Sequence, residues 1–591
     1  MDKFKQGLLD NLKSIIKRVQ DNLLIDQKKL TDLINKPLSE IKSLAIEDQN
    51  VFANMQEDAF NRIEELKHLY GSPFFVKCEV EILSTKEKKI LYFAKHHFTE
   101  EKIYSWIAPI ATIRFEKPGQ VQYRLPNGVM EKLILNSKEQ YLIVDGKVVF
   151  FALENIDKPR ELIYQEHFSA KKEGFILPEI VAVMEKAQDT VIRAHHIGPF
   201  IISGPAGSGK TTLALHRVAF LVQSPDTAHL YAEKSIIVFV QDNGTKEYFS
   251  HLLPELGIKN VKITTFFEWG MEILGIDNAV YIDRRGIDEN DKISKTFERL
   301  KQLSSKDIPS WSETKKFLEN NKAIGIDRID ITIALMSFLN HYKRIEIKQK
   351  FNAVVKGKIV KKTRTNILKY SLIVMDEFQN YMPEQINIIN TCLDENTNSA
   401  IYVGDIAQQI VYGALRSWDQ IGLNPNSERE VRLHKVYRNT NQILKYIQTL
   451  GYKVEIPNEI KEGKEVIEYA LSNEQDIIAQ IDNSLKNSKG LIGVIAKDIE
   501  ELKYIQNHFK DEKRIHITSM AMSQGVEFDI VYIIGIDNKF FIAENTNNYD
   551  DSFMQERKRI TKDLLYVALT RAISELYIIG SVKLSEISQK D

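Results

Sequence analysis

The stretch GPAGSGKTT at 204–212 constrains this chain more than any other. A loop of the form G-x-x-x-x-G-K-T works only between a β-strand and a helix N-terminus. Its glycines let successive backbone N–H groups turn towards a phosphate, and the helix end adds a potential that favours anions. Both neighbours are present: FIIS at 200–203 reads as a buried strand and TTLALHRVAFLV at 211–222 as a helix. The motif therefore requires an α/β fold with a parallel sheet. Gly204, Gly207, Ser208 and Gly209 shape the cradle. Lys210 neutralises β- and γ-phosphates, Thr211 offers its hydroxyl to Mg²⁺, and Thr212 completes the first helical turn. The cofactors this implies are ATP and Mg²⁺.

Such a loop needs a second part, an acid at a strand end that holds the metal beside a group able to orient or deprotonate an attacking water. LIVMDEFQ at 372–379 supplies both, with Asp376 as the metal partner and Glu377 as the base. Ligands bind at the carboxyl edge of parallel sheets, which is where this pair would stand. An Asp-Glu pair after an apolar run is by itself an ordinary solvated turn; the loop upstream is what gives it meaning.

The apolar runs FIIS, SIIVFV (235–240), LIVM (372–375) and AIYV (400–403) alternate with helical segments. That pattern predicts a parallel sheet covered by helices. GLIGVIA (490–496), DIVYIIG (529–535) and ELYIIG (575–580) predict a second sheet of the same kind. Before residue 70 the texture differs. Glycine and proline are almost absent, and Leu8, Leu12, Ile15 and Val19 follow helical spacing. Asn35-Lys36-Pro37 interrupts the pattern, so two antiparallel helices are expected, each roughly 45 Å long at 1.5 Å per residue. Residues 74–152 carry short β-rich runs with Asn127-Gly128 and Asp145-Gly146 as hairpin turns. The expected division is 1–70 helical hairpin, 71–165 antiparallel β unit, 166–272 with 371–425 first sheet domain, 273–370 inserted helical and basic subdomain, and 426–591 second sheet domain.

Composition removes several classes. Of 591 residues, 43% are hydrophobic and 27% charged, too apolar for a largely disordered chain. Lys and Arg number 80 against 81 Asp and Glu, so any nucleic-acid surface must be local. Residues 341–370 provide one, with ten Lys and Arg against the single acid Glu346. Lys356, Lys358, Lys361 and Lys362 form its centre, and such a patch can track a phosphate backbone. A solvated face or a protein-docking surface is the alternative. Cys78 and Cys392 make no disulfide framework, which fits a reducing cytosol. The 13 histidines form no recognisable zinc site, and no nuclease signature stands out. No apolar run approaches the ~18 residues of a membrane span, so a cytoplasmic protein without a membrane partner is expected.

Taken in order, DEFQ (376–379), GDIAQ (404–408), VYRNT (436–440), QGVEFD (524–529) and YVALTRA (566–572), together with the phosphate loop, resemble the motifs of superfamily 1 helicases of the UvrD/Rep type over nearly all of 178–582. The resemblance implies a nucleotide held between two RecA-like domains. Gln188 would hydrogen-bond adenine and Tyr437 stack on it. Gln379 and Gln408 would sense the γ-phosphate, Gly525 and Glu527 would contact the nucleotide with Glu527 on the ribose, and Arg438 and Arg571 would reach over from the second domain. Guanidiniums contributed across a cleft stabilise phosphate charge only when the cleft closes, which couples hydrolysis to domain motion. Thr264, Thr265, Phe266, Tyr412 and Ser519 would touch single-stranded nucleic acid.

YSWIAPIATIRFEKPGQVQYRLPNGVMEKLIL in the β unit and LLPELGIKNVKITTFFEW at 252–269 resemble the HelD-type group, also called helicase IV. Departures are visible: Ile107 replaces the Arg of the group's WRAPI segment, and Gln524 stands where a Lys is usual. The activity implied is an ATP-dependent single-stranded DNA translocase or helicase running 3′ to 5′. Its rivals are an ATPase that releases RNA polymerase from nucleic acid, gripping it through the N-terminal hairpin, and an ATPase subunit of a multi-protein assembly acting on foreign DNA.

Overall fold

The computed structural model describes residues 2–35, 46–125, 128–154, 186–204, 208–241, 243–282, 303, 307–355, 358–411, 413–426, 428–433, 439–452, 454, 456, 460–471, 473–488, 490–510, 512, 514–524, 526, 528–541 and 551–588. They cluster into two compact units. The first comprises Met1–Arg193, His216–His229 and His251–Lys259, and the second Ala194–Leu215, Leu230–Ser250 and Asn260–Asp591.

In the first unit, helices α1 (Asp2–Ile34) and α2 (Ile46–Gly71) run antiparallel: Gln20 donates to the Tyr70 carbonyl and Gln56 to that of Ile34. Ile16, Val19 and Leu23 of α1 meet Leu66 and Leu69 of α2, and the pair buries its apolar stripe on Phe74 and on Tyr92, Tyr141 and Ile143 of a sheet. Its strands are β1 (Val76–Ile82), β2 (Lys88–Ala94), β3 (Ile103–Ser105), β4 (Gly119–Arg124), β5 (Met130–Val144) and β6 (Lys147–Glu154). They lie in the order β3-β2-β1-β5-β4, with β6 on β5, antiparallel except for β2 with β3. Asp145 and Gly146 close the β5–β6 turn at φ 48° and 71°, the left-handed pair that matches strand twist in a two-residue hairpin. Pro37 and Asn127 lie outside the described residues.

The second unit holds two parallel sheets. The first contains β7 (Pro199–Ser203), β8 (Ile236–Val240) and β9 (Lys262–Thr265). After helices α4 (Trp311–Asn321) and α5 (Arg328–Tyr342), β10 (Glu346–Val355) and β11 (Lys358–Ile367) form a separate antiparallel hairpin. The sheet resumes with β12 (Leu372–Asp376), β13 (Ser399–Gly404) and β14 (Glu430–Arg432), in the order β14-β7-β13-β12-β8-β9. IIVFV, LIVMD and SAIYVG are buried throughout, as strands covered on both faces must be. The second sheet orders β15 (Ile467–Ala470), β16 (Ile492–Ala496), β17 (Ile515–Ser519), β18 (Phe528–Ile536) and β19 (Ala572–Gly580) as β15-β19-β18-β16-β17, also parallel. Helix α6 (Asp551–Leu569) makes the crossover from β18 to β19.

The 273–370 segment holds helices α4 and α5, and its basic stretch, to which the sequence assigned no element, is a β-hairpin in which ten residue pairs from Glu346↔Ile367 to Val355↔Lys358 complete a ladder. The first sheet, expected to end at residue 425, runs past it, since Glu430–Arg432 pairs with β7.

Candidate nucleotide site

Three neighbouring strands, β7, β13 and β12, point their carboxyl ends the same way, and each carries one motif. β7 leads into the phosphate loop, from which helix α3 (Lys210–Gln223) starts. Gly204 sits at φ +149°, where a Cβ would come within 2.5 Å of the Leu433 carbonyl oxygen. Only glycine fits that approach. Lys210 is buried, and Thr211 and Thr212 are half-buried in the first turn of α3. Gly209 is in the left-handed region; Gly207 lies outside the described residues.

β12 ends at Asp376, whose Oδ1 accepts a 2.9 Å hydrogen bond from the Thr211 hydroxyl. Burial, then the neighbouring Glu377 charge, pushes the Asp376 carboxyl well above the usual carboxylate range, against the pull of Thr211 and Lys210. Glu377 itself adopts φ 48°, ψ 44°. A non-glycine residue held there costs of order 1 kcal/mol or more, a departure typical of working sites. Gln379 is fully buried and clamps this kink: its Nε2 donates to Glu377 Oε2 at 2.6 Å, and its Oε1 accepts from the Asp405 N–H at 3.0 Å. Asp405 in turn accepts from Gln408 Nε2 at 2.9 Å. Asp376, Glu377 and both glutamines therefore form one connected set.

The donor set suits Mg²⁺ bound with a nucleotide. Thr211 and Asp376 present hard oxygens side by side, and the buried Ser208 hydroxyl finds no partner among the described residues. Among those residues no group of three or more His, Cys, Asp or Glu stands where it could hold a metal alone. A divalent ion would thus take its remaining ligands from phosphate and water, the usual habit of Mg²⁺ at nucleotide sites. When bound, that ion supplies charge neutralisation at the phosphates.

From the second sheet, Arg571 lies just before β19 and is buried. Its guanidinium donates to the carbonyls of Val567 (3.0 Å) and Val526 (3.2 Å) and to the Thr570 hydroxyl. Burial lowers its pKa, and the nearby Glu377 carboxylate opposes that shift. The first sheet's Glu377 and the second sheet's Arg571 are therefore electrostatic neighbours.

Other predicted residues are placed differently. Gln188 is half-buried in the short helix Lys186–Ile192 of the first unit. Thr264 is buried and bonds to the Thr265 carbonyl; the Thr265 hydroxyl caps the helix Phe266–Leu274 by accepting from the Glu268 N–H. Phe266 packs into the core near Trp269. Ser519 ends β17 and accepts from the Met522 N–H. Lys358, Lys361 and Lys362 lie on β11, opposite Val355, Asn352 and Phe351. Tyr412, Tyr437, Arg438, Gly525, Glu527 and Lys356 fall outside the described residues.

Sequence reasoning missed two groups. Asn380, directly after DEFQ, is buried and bonds to Gln524 beyond β17. Glu556 and Arg559 of α6 meet Arg416 and the Gln409 carbonyl of the first sheet's motif loop. The helical spacing of Glu556, Arg559 and Asp563 was a visible signal for the second group; an asparagine in a turn is too common to signal anything.

A strand, a glycine loop and a helix, with an acid at the end of a nearby parallel strand, define a P-loop nucleotide-binding domain. Residues 187–414 match the family model of the AAA domain. No curated protein matches the chain. Among solved structures, the C-terminal domain of a possible DNA helicase from Lactobacillus plantarum WCFS1 is 20% identical. That match covers 26% of this chain and 91% of that one, with a TM-score of 0.18. Among the described residues no helix is long and apolar enough to cross a membrane.

Proposed function

We propose that the chain is an ATP- and Mg²⁺-dependent motor of superfamily 1, of the HelD-type group, that moves along single-stranded DNA from 3′ to 5′ and can separate strands. One observation carries the reading: Lys210, Thr211, Asp376, Glu377, Gln379 and Gln408 gather at one edge of a parallel sheet, and Arg571 of a second parallel sheet stands near Glu377. In this reading Lys210 holds the β- and γ-phosphates and Glu377 takes the proton of the attacking water. Gln379 holds Glu377 in place, and Arg571 stabilises the charge that develops on the transferred phosphoryl group. Arg438, Tyr437, Glu527 and Gly525 complete the nucleotide contacts. The basic β10–β11 hairpin, with Tyr412, Thr265 and Ser519, contacts the strand.

A second reading, the remodelling of a protein complex such as a nucleic-acid-bound RNA polymerase, is favoured by the first unit. Leu24 and Ile25 of α1 and Phe60 of α2 are about half exposed and leave apolar surface for a partner. ATP hydrolysis measured with single-stranded DNA, duplex DNA, RNA and RNA polymerase separates the two. Strongest stimulation by single-stranded DNA, absent in Lys210→Ala, supports the motor. Stimulation by polymerase alone supports the remodeller, and equal hydrolysis by Lys210→Ala removes the site.

A further inference from the structure

Asn380 closes the short turn Phe378–Asn380 that follows Asp376 and Glu377, and its side chain is used twice. Oδ1 accepts from the Ile410 N–H at 3.2 Å, two residues after Gln408. Nδ2 donates to Gln524 Oε1 at 3.1 Å, in the turn after β17 of the second sheet. That turn is held by the Ser523 N–H on the Ser519 carbonyl, and two residues past Gln524 the Val526 carbonyl receives Arg571 Nη1. A short path thus runs from the turn bearing Glu377, through two amides, to the backbone that seats Arg571.

We infer that Asn380 and Gln524 are a positioning pair that fixes Arg571 relative to Glu377 for hydrolysis, a role that rests on the proposed ATPase activity. Neither side chain is assigned to the nucleotide, so the pair acts through others. Its neutrality has a physical reason: a carboxylate at 380 would add a third negative charge beside Asp376 and Glu377, whereas an amide donates and accepts without charge. An amide bridge is also insensitive to the ionic screening that weakens exposed ion pairs. Losing it leaves the partner amide unsatisfied, and loss of Asn380 strands the Ile410 N–H as well, a penalty large enough to shift the population of correctly seated Arg571 about tenfold.

The test is steady-state ATP hydrolysis by the full chain, alongside binding of a fluorescent ATP analogue. Gln524 is half-buried on a turn, so Gln524→Ala removes the bridge while leaving the Asn380–Ile410 bond. The expected result is that Asn380→Ala and Gln524→Ala each lower kcat about tenfold with nucleotide affinity unchanged, and that the double variant is no slower than Asn380→Ala. Gln524→Glu keeps an oxygen acceptor for Asn380 Nδ2 and should hold kcat near wild type, whereas Asn380→Asp loses the donor, adds the third charge and should lower kcat at least as far as Asn380→Ala. Wild-type kcat in Gln524→Ala, or strictly additive losses, overturns the inference. If the wild-type chain hydrolyses no ATP, the proposed function fails by itself. Hydrogen exchange over 519–526 without nucleotide then decides the bridge: acceleration in Asn380→Ala supports it, and no change overturns it.

Discussion

Gly404 shows how little room the site leaves. It ends β13 at φ +154°, and a Cβ there would sit 1.9 Å from Gln379 Oε1. Gln379 cannot retreat, because it is fully buried and holds both Glu377 and the Asp405 N–H. Gly404→Ala should therefore lose about 2–3 kcal/mol in thermal or denaturant melts, by backbone strain and a displaced buried amide together. Gly209→Ala makes a useful contrast, since at φ +81° its Cβ would meet nothing within 4 Å. It should cost only the ~1 kcal/mol of a left-handed alanine; equal losses at the two positions would contradict this geometry. Glu377→Gln should bind nucleotide normally while hydrolysis falls roughly 10²- to 10⁴-fold, as loss of a general base predicts. Asp376, Glu377 and Gln379 were legible in the sequence because each sits in a motif with its strand. Asn380 was not, since its meaning lies in two partners, Ile410 and Gln524, that only the fold brings near.

At the scale of elements, the β10–β11 hairpin was hidden by its own charge. Lysines at 348, 350, 358, 361 and 362 suggest a solvated surface, yet Val354, Val355, Ile359 and Val360 flank a Lys-Gly pair in the manner of a hairpin. Reversing Lys356, Lys358, Lys361 and Lys362 to Glu should weaken single-strand binding and flatten its salt dependence, by up to about 3 in the log–log slope. An unchanged slope would move the strand elsewhere. Helix α6 gives a second element-level prediction. Asp563 lies beside Glu556 and Arg559, and burial raises its pKa to about 7 against the pull of Arg559. The folded chain holds this proton more tightly than the unfolded one, so its contribution to stability is full below the ordinary carboxylate pKa and is lost as pH rises to about 7. Asp563→Asn should then melt higher than wild type at pH 8, by on the order of 1 kcal/mol, with the gain fading by pH 4. A variant less stable at pH 8 would show that the Arg559 contact outweighs burial.

Across the whole molecule, the two parallel sheets and the antiparallel unit with its helix pair follow from alternating buried runs and from a glycine-poor N-terminus. The extent of the first sheet did not, because β14 is three residues long and carries no apolar run of its own. Its pairing with β7 depends on the chain returning past the phosphate loop, where the Leu433 N–H meets the Ser203 carbonyl. The central claim is that hydrolysis at the first sheet's edge requires a charge delivered from the second. In the proposed reading Arg571 is that charge, and single-turnover hydrolysis by Arg571→Ala, measured with ATP already bound, tests it most directly. The account predicts at least a ~10³-fold loss in the rate of phosphate release with ATP affinity retained. A rate within a few-fold of wild type would contradict it.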